Sequence, residues 1–164
     1  MDQALPIGEH LRQAMRRWAS GVSVVCSQHG ETRHGMTVNS FTSISLDPPH
    51  VSITLANWTR TYRLVMQSAI FGVTILSDRQ QALADRFAGR TGEDEDRFAG
   101  VETFTLVTGV PLIWGGLAQI DCRTVHTFAM KSSTLIIGEV VAAQSAQETN
   151  PLIYFNRVFH RLGQ

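Results

Sequence analysis

The segment at residues 35–49, GMTVNSFTSISLDPP, constrains the fold of this chain more than any other stretch. It opens at Gly35, carries hydroxyls at Thr37, Ser40, Thr42, Ser43 and Ser45, and ends at Pro48-Pro49. Apolar Val38, Phe41, Ile44 and Leu46 are interleaved with those hydroxyls. Extended chain sends successive side chains to opposite faces, so the pattern predicts a strand with a bend or crossing, apolar toward a core and hydroxyls toward a polar object. The prolines stop it, because proline has no ladder N–H to give.

The flanking segments supply a scaffold of the same kind. Residues 8–19, GEHLRQAMRRWA, place Leu11, Met15 and Trp18 on one stripe and Arg12, Arg16 and Arg17 elsewhere, the pattern of an amphipathic helix ended by Gly21. GVSVVCS reads as a strand, and Gly30 in QHGETRHG as a hairpin turn. HVSITLA (50–56) and IFGVTIL (70–76) are strands around a short helix from Thr59 to Ser68, with Tyr62, Val65, Met66 and Ala69 on its buried side. Ser77-Asp78-Arg79-Gln80 has the pattern of a capping box and opens a second helix, anchored by Leu83 and Phe87 and ended by Gly89. RTGEDED is an exposed acidic loop. DRFAG occurs at 85–89 and again at 96–100, too short a match for a repeat architecture. FTLV, PLIW, GLAQIDCRTVHTF and TLIIGEVVAA read as antiparallel strands, and PLIYFNRVFHRL as a closing hairpin. The prediction is a mainly β fold, a barrel or sandwich whose few short helices plug its ends, as one domain over residues 1–164.

Charge and composition narrow the function. Fourteen Lys plus Arg balance fourteen Asp plus Glu, so a nucleic-acid partner is not expected, although a zero net charge leaves the distribution of charge open. Cys26 and Cys122 lie in apolar stretches and read as buried, reduced thiols rather than metal ligands. The first residues, MDQALPIGEH, do not form a signal peptide, and no apolar run reaches membrane-spanning length. The expected location is the cytoplasm, with no membrane partner, and the sequon Asn57-Trp58-Thr59 then carries no glycan.

The common catalytic motifs are missing. GxSxG, GxGxxG, GxxxxGK[ST] and HExxH do not occur, and the six histidines show no metal spacing on one helix. No carboxylate pair suits acid–base work. An enzyme built this way would leave the reaction to a bound cofactor.

The ordered set LRQAMRRWASGVSVVCS, HGMTVNSFTSISLDPPHVSITL, TRTYRLV, FGVTIL, LADRFAG, DRFAG, GVPLIWGGLAQIDC, TLIIGEV and PLIYFNRVFHRL resembles the flavin reductase family with the FMN-binding split-barrel fold, from about residue 8 to residue 161. The resemblance implies an antiparallel, Greek-key-like split β-barrel with a few short helices. It implies an NAD(P)H-dependent reductase, of the kind that supplies reduced flavin to a two-component monooxygenase. FMN or FAD would be the flavin, NADH or NADPH the electron donor, a homodimer the assembly, and an oxygenase component the recipient.

The resemblance also assigns residues. Thr37, Val38, Asn39 and Ser40 would line the isoalloxazine and ribityl parts, and Ser43 and Ser45 would reach toward the phosphate. Some of these hydroxyls can instead satisfy strand backbone, the reading preferred for Thr42. Asn57-Trp58-Thr59-Arg60-Thr61 opens a helix, where free N–H groups favour an anion. Asn57 and Thr61 are then phosphate or ribityl partners and Arg60 adds charge, while Thr59 also suits a helix cap. Trp58 either covers the ring or packs at the surface. Arg86 and Phe87 match positions near the flavin, although Phe87 also has core spacing from Leu83. Arg97 and Phe98 would fold over the site as a flap. Phe155, Arg157 and His160 fall in the terminal hairpin, near the cofactor or a dimer interface in relatives. No side chain is assigned a catalytic proton transfer and none a metal.

One departure stands out. Many relatives carry Gly-Asp-His before the last long strand, where this chain has Lys131-Ser132-Ser133. The electron-donor half is therefore less well specified than the flavin half. Lys131 suits either a nucleotide phosphate or a solvated turn. Two rivals follow: a flavin-binding protein of this fold without efficient turnover, and a flavin-free barrel holding pyridoxal phosphate or haem. The hydroxyl-rich segment and the Asn57–Thr61 loop argue against the second.

Overall fold

The computed structural model describes residues 5–90, 96–146 and 150–163. Helix α1 (Ile7–Met15) and a short strand β1 (Ser20–Gly21) lead into β2 (Ser23–His29) and β3 (Thr32–Val38). Gly30, at φ +58°, turns the chain between them. Residues 39–41 carry the chain to β4 (Thr42–Leu46), and β5 (Pro49–Ala56) returns alongside it. Helix α2 (Arg60–Ser68), β6 (Ile70–Ile75), a 3-10 turn and α3 (Gln81–Phe87) follow. Beyond the acidic stretch, whose residues 91–95 lie outside those described, come β7 (Thr103–Phe104), β8 (Leu112–Ile113), the long β9 (Ala118–Ala129) and β10 (Ser133–Ser145), and the hairpin β11 (Leu152–Phe155) and β12 (Val158–Arg161).

The predicted mainly β architecture is what forms. Seven antiparallel strands pair in the order β3-β2-β6-β9-β10-β5-β4. The two edge strands, β3 and β4, are consecutive in the chain, so the sheet curls until its edges are close enough for residues 39–41 to cross. Ser40 stands in that crossing. Its hydroxyl donates to Thr54 O at 2.9 Å and accepts from Thr54 N at 3.1 Å, adding a side-chain rung where the β4–β5 ladder has run out.

Two apolar clusters lie on the two faces of the curled sheet. Val25, Ile53, Leu55, Phe71, Val73 and Ile136 fill the interior, and Val65 of α2 plugs it. Val24, Cys26, Leu76, Phe87, Phe98 and Ile113 form the second cluster, under α3 and the β7–β8 region. Strand β2 serves both, so its run VVCS is buried on both faces rather than alternating. A Cβ at Gly138 would lie 2.5 Å from the Phe71 ring, so this position of β10 takes no larger residue.

Some local expectations shift. The first helix ends at Met15, and its stripe of Ile7, Leu11 and Met15 is exposed together with Trp18. Met66 of α2 is exposed, while Thr61, Leu64 and Val65 are buried. FTLV contributes only Phe104 to a strand. Its loop is gathered instead by the buried Asp121 carboxylate, which accepts from Val107 N and Thr108 N at 2.8 Å each and from the Thr108 hydroxyl. Among the described residues, no helix is long and apolar enough to cross a membrane.

Candidate functional site

The free edge of β3 is the locus of a groove. Its middle is a cleft of about 540 Å³ between β3, the start of α2 and the end of α3, lined by His34, Met36, Thr37, Trp58, Arg60 and Arg97 together with Thr59, Phe87 and Ala88. Toward the start of β3 it continues, past His34, Arg60 and Arg97, into a hollow of about 430 Å³. Toward the end of β3 it meets a smaller hollow of about 180 Å³, shared by Thr37, Val38, Asn39, Tyr154 and Phe159.

Local folding explains the walls. Thr59 caps α2, accepting from Tyr62 N at 3.3 Å while its own hydroxyl donates to Ala56 O. The helix therefore presents its N-terminus, led by Arg60, to the cleft, and no acidic residue occupies its first turn. On the other side, the two DRFAG copies interlock. Phe87 and Phe98 meet edge to face at 5.1 Å, Arg86 donates to Ala99 O, and Arg97 donates to both Phe87 O and Gly35 O at 3.0 Å. Gly35 permits this close seating, since a Cβ there would lie 2.8 Å from the Phe87 ring.

His34 is the polar centre of the cleft. Its Nδ1 lies 2.8 Å from the Thr61 hydroxyl. Partial burial, and then the guanidiniums of Arg97 and Arg60, pull its pKa down from 6.5 to about 4. The imidazole is neutral near neutral pH, so the surrounding positive charge belongs to the arginines alone. Arg60 has no hydrogen-bond or ion-pair partner among the described residues.

The residues predicted from sequence divide. Thr37, Trp58 and Phe87 border the cleft, and Val38 and Asn39 the hollow beside it. Thr37 also donates its hydroxyl to Ala84 O at 2.7 Å, tying β3 to α3, and Trp58 is largely exposed. Phe87 is fully buried as a core residue. The others do not line the cleft. Ser40 is engaged with Thr54, as described. Ser43 is exposed on β4 and Ser45 is half-buried there, donating to Pro48 O. Asn57 clamps the β9–β10 turn, donating to Met130 O at 3.2 Å and accepting from the Thr134 hydroxyl at 2.7 Å. Thr61 is fully buried behind His34. Arg86 turns to Ala99. His160 stacks near Phe155, on the opposite face of β12 from Phe159, as strand alternation requires. Phe98 is buried core rather than a flap. Lys131-Ser132 lies in the exposed β9–β10 turn and half-buried Ser133 opens β10, with Ser132 O accepting from Asn57 N.

His34, Met36 and Ala88 are cleft residues that sequence reasoning did not select, and Arg97, expected in a flap over the site, stands in the cleft wall. The signal for Arg97 was the second DRFAG copy. His34 stands immediately before GMTVNS and was passed over because one histidine outside any metal spacing carries no local signature.

The donor set fits a flavin nucleotide. Met36 and Trp58 offer apolar surface to a ring, Thr37 a hydroxyl, and Arg60, Arg97 and the α2 N-terminus a seat for a phosphate. The cleft volume lies in the usual range for small-molecule sites, about 300–1,000 Å³.

Comparison with known proteins agrees with that fit. The reductase component of the FADH(2)-dependent resorcinol hydroxylase of a Rhizobium species is 35% identical over 152 residues, covering 92% of this chain and 84% of the relative. The solved flavin reductase PheA2 superposes with a TM-score of 0.86 at 35% identity, covering 95% of this chain and 98% of that one. Streptomyces globisporus NADH:FAD oxidoreductase SgcE6, solved with NAD and FAD fragments, superposes at 0.87 with 27% identity, covering 98% and 97%. The flavin reductase like domain matches residues 15–163, and the chain belongs to that family.

Proposed function

We propose that this chain is an NADH-dependent flavin reductase that binds its flavin in the β3–α2 cleft and delivers the reduced product to a partner oxygenase. One observation carries the reading: a cleft along a sheet edge, walled in part by Met36 and Trp58, ends at Arg60, Arg97 and a helix N-terminus, with no acidic side chain among its described lining residues. Resorcinol hydroxylase reductase and SgcE6 support the partner and the donor by what their names state.

A bound flavin supplies an acceptor for the electron pair of a reduced nicotinamide. The protein's part is to hold and shield it. Arg60 and Arg97 would seat its phosphate, and Met36 and Trp58 would offer apolar surface to its ring. Gly35 turns its carbonyl to the free edge of β3, where Arg97 meets it. Strand alternation sends the Thr37 N–H to that same edge, where it would donate to a bound ring and favour negative charge there. Neutral His34, held by Thr61, offers a polar nitrogen without adding charge. Val38 and Asn39 line the end nearest the terminal hairpin. Ser40, Asn57, Thr61 and Arg86 act one step back, fixing the crossing, the β9–β10 turn, His34 and the DRFAG pair. No side chain needs to carry a proton in the transfer.

Two further parts belong to the same reading. The chain acts as one domain over residues 1–164, and it works as a homodimer. The apolar stripe of α1 and Phe128 of the long β9 are exposed in the single chain, and a second copy would cover them. The cytoplasm is its place, because the reaction draws on NADH and both cysteines are free thiols.

The test is to mix purified protein with FMN or FAD and follow NADH and NADPH absorbance. Oxidation that depends on added flavin is the expected result. Protein that binds flavin and turns yellow without oxidising either nucleotide would overturn the reductase reading in favour of a binding module.

A further inference from the structure

We propose that Asn57 is a positioning residue for the cleft: through it the β9–β10 turn, which lines no part of the cleft, sets where the Trp58–Arg60 wall stands and so how tightly flavin is held. This rests on the reading that the cleft takes a flavin. Trp58, Thr59 and Arg60 form one wall. Leu55 and Thr61 are buried, but none of residues 56–60 between them is. Apolar packing therefore does not hold this stretch, and its place depends on hydrogen bonds.

Those bonds fall into two sets. Thr59 N donates to Ala56 O at 3.1 Å, the Thr59 hydroxyl to the same oxygen at 2.8 Å, and Arg63 to Trp58 O at 3.1 Å. They join near neighbours and fix the shape of the loop. The second set ties residues 57–60 to another element, and among the described residues all of it belongs to Asn57. Its N–H donates to Ser132 O at 3.1 Å, carrying the β5–β10 ladder past the Ala56–Ser133 pair. Its side-chain amide donates to Met130 O at 3.2 Å and accepts from the Thr134 hydroxyl, 77 residues away in sequence, at 2.7 Å. The turn is itself closed by Met130 N donating to Ser133 O at 2.8 Å, so it is a firm anchor. An amide suits the place: Met130 O needs a donor and the buried Thr134 hydroxyl an acceptor, and a carboxylate would lose the first bond. Trp58 and Arg60 follow within three residues, so a loop that tilts on its local bonds carries both cleft groups with it.

Thr134→Val removes the far partner of the Asn57 amide and no cleft atom, while Thr134→Ser keeps the hydroxyl. Ile136→Val, in the interior core of the same strand, is the control for stability lost without the tie. Flavin fluorescence titrations of the intact protein give Kd for FMN and FAD, and amide hydrogen exchange without flavin reads the order of residues 57–62. Thr134→Val should weaken flavin binding about three- to tenfold, the scale of one hydrogen bond, and speed exchange over 57–62. Thr134→Ser should behave as wild type, and Ile136→Val should change neither readout. Asn57→Ala combined with Thr134→Val should bind flavin no more weakly than Asn57→Ala alone. In a protein that binds flavin, an unchanged Kd in Thr134→Val would overturn the proposal, as would an equal loss in Ile136→Val. If the wild type binds neither flavin, faster exchange in Thr134→Val would support the tie from turn to wall and remove the flavin reading. Unchanged exchange in that case would overturn both.

Discussion

Gly35→Ala should loosen the core and the cleft together. The new Cβ would lie 2.8 and 2.9 Å from two atoms of the Phe87 ring and 3.0 Å from Cys26 Sγ. Comfortable carbon contacts are about 3.5–4.0 Å, so the ring must retreat by roughly 0.7–1 Å. It has nowhere to go: Phe87 is fully buried and stands edge to face against Phe98. Overpacking of this kind costs about 1–3 kcal/mol. For a chain of 164 residues, each kcal/mol is worth about 2–4 °C, so Tm should fall by about 2–12 °C. The backbone at Gly35 is not left-handed, so the loss comes from contact alone. Because Arg97 grips Gly35 O and Phe87 O at once, the retreat also moves a cleft wall, and flavin should bind several-fold more weakly. Thermal melts by circular dichroism and flavin titrations measure both. Adding Phe87→Leu should make the double variant cost less than the sum of the singles. A Tm within about 1 °C of wild type, with flavin affinity unchanged, would refute the reasoning.

Other expectations come from equally local contacts. The folded pKa of His34, about 4, lies below its ordinary 6.5, so below about pH 6.5 the unfolded chain takes up a proton that the folded chain refuses. Stability should therefore fall as pH drops from about 6.5 toward 4, by about 1–2 kcal/mol between pH ~7 and ~5 after allowing for partial exposure. Urea titrations should show that loss in wild type and not in His34→Gln; an equal loss in both would discard the assignment. Asp121→Ala removes the buried acceptor of two part-buried N–H groups and the Thr108 hydroxyl, and should cost about 2–4 kcal/mol, read as a lower urea midpoint. Leu11→Asp should turn a dimer into a monomer in sedimentation velocity, whereas a monomeric wild type would dispose of the α1 interface.

Much of the fold was legible because it is written in short-range patterns. Thr59 reads as a helix cap and is one, Gly30 reads as a hairpin turn and is one, and Ser77 N meets its predicted partner, donating to Gln80 Oε1 at 3.0 Å. The site was legible only in part. GMTVNS marks the right strand, yet Ser40 spends its hydroxyl on Thr54 and Thr61 is buried under His34. Residue type says that a hydroxyl needs a partner; which partner is near depends on strands far away in sequence. The two DRFAG copies show the same thing. They are identical over five residues, yet Arg86 leads to Ala99 and Arg97 to the cleft.

From the sequence alone come the strand and helix periods, the turns, a bend or crossing somewhere in residues 35–49 and the family. These depend on alternation and on backbone preferences of neighbouring residues. The tertiary structure alone decides that β3 is an edge strand and that His34, Arg60 and Arg97 meet beside it. Those groups come from different elements, and only the curl of one sheet around its core brings their charges within reach of a single ligand.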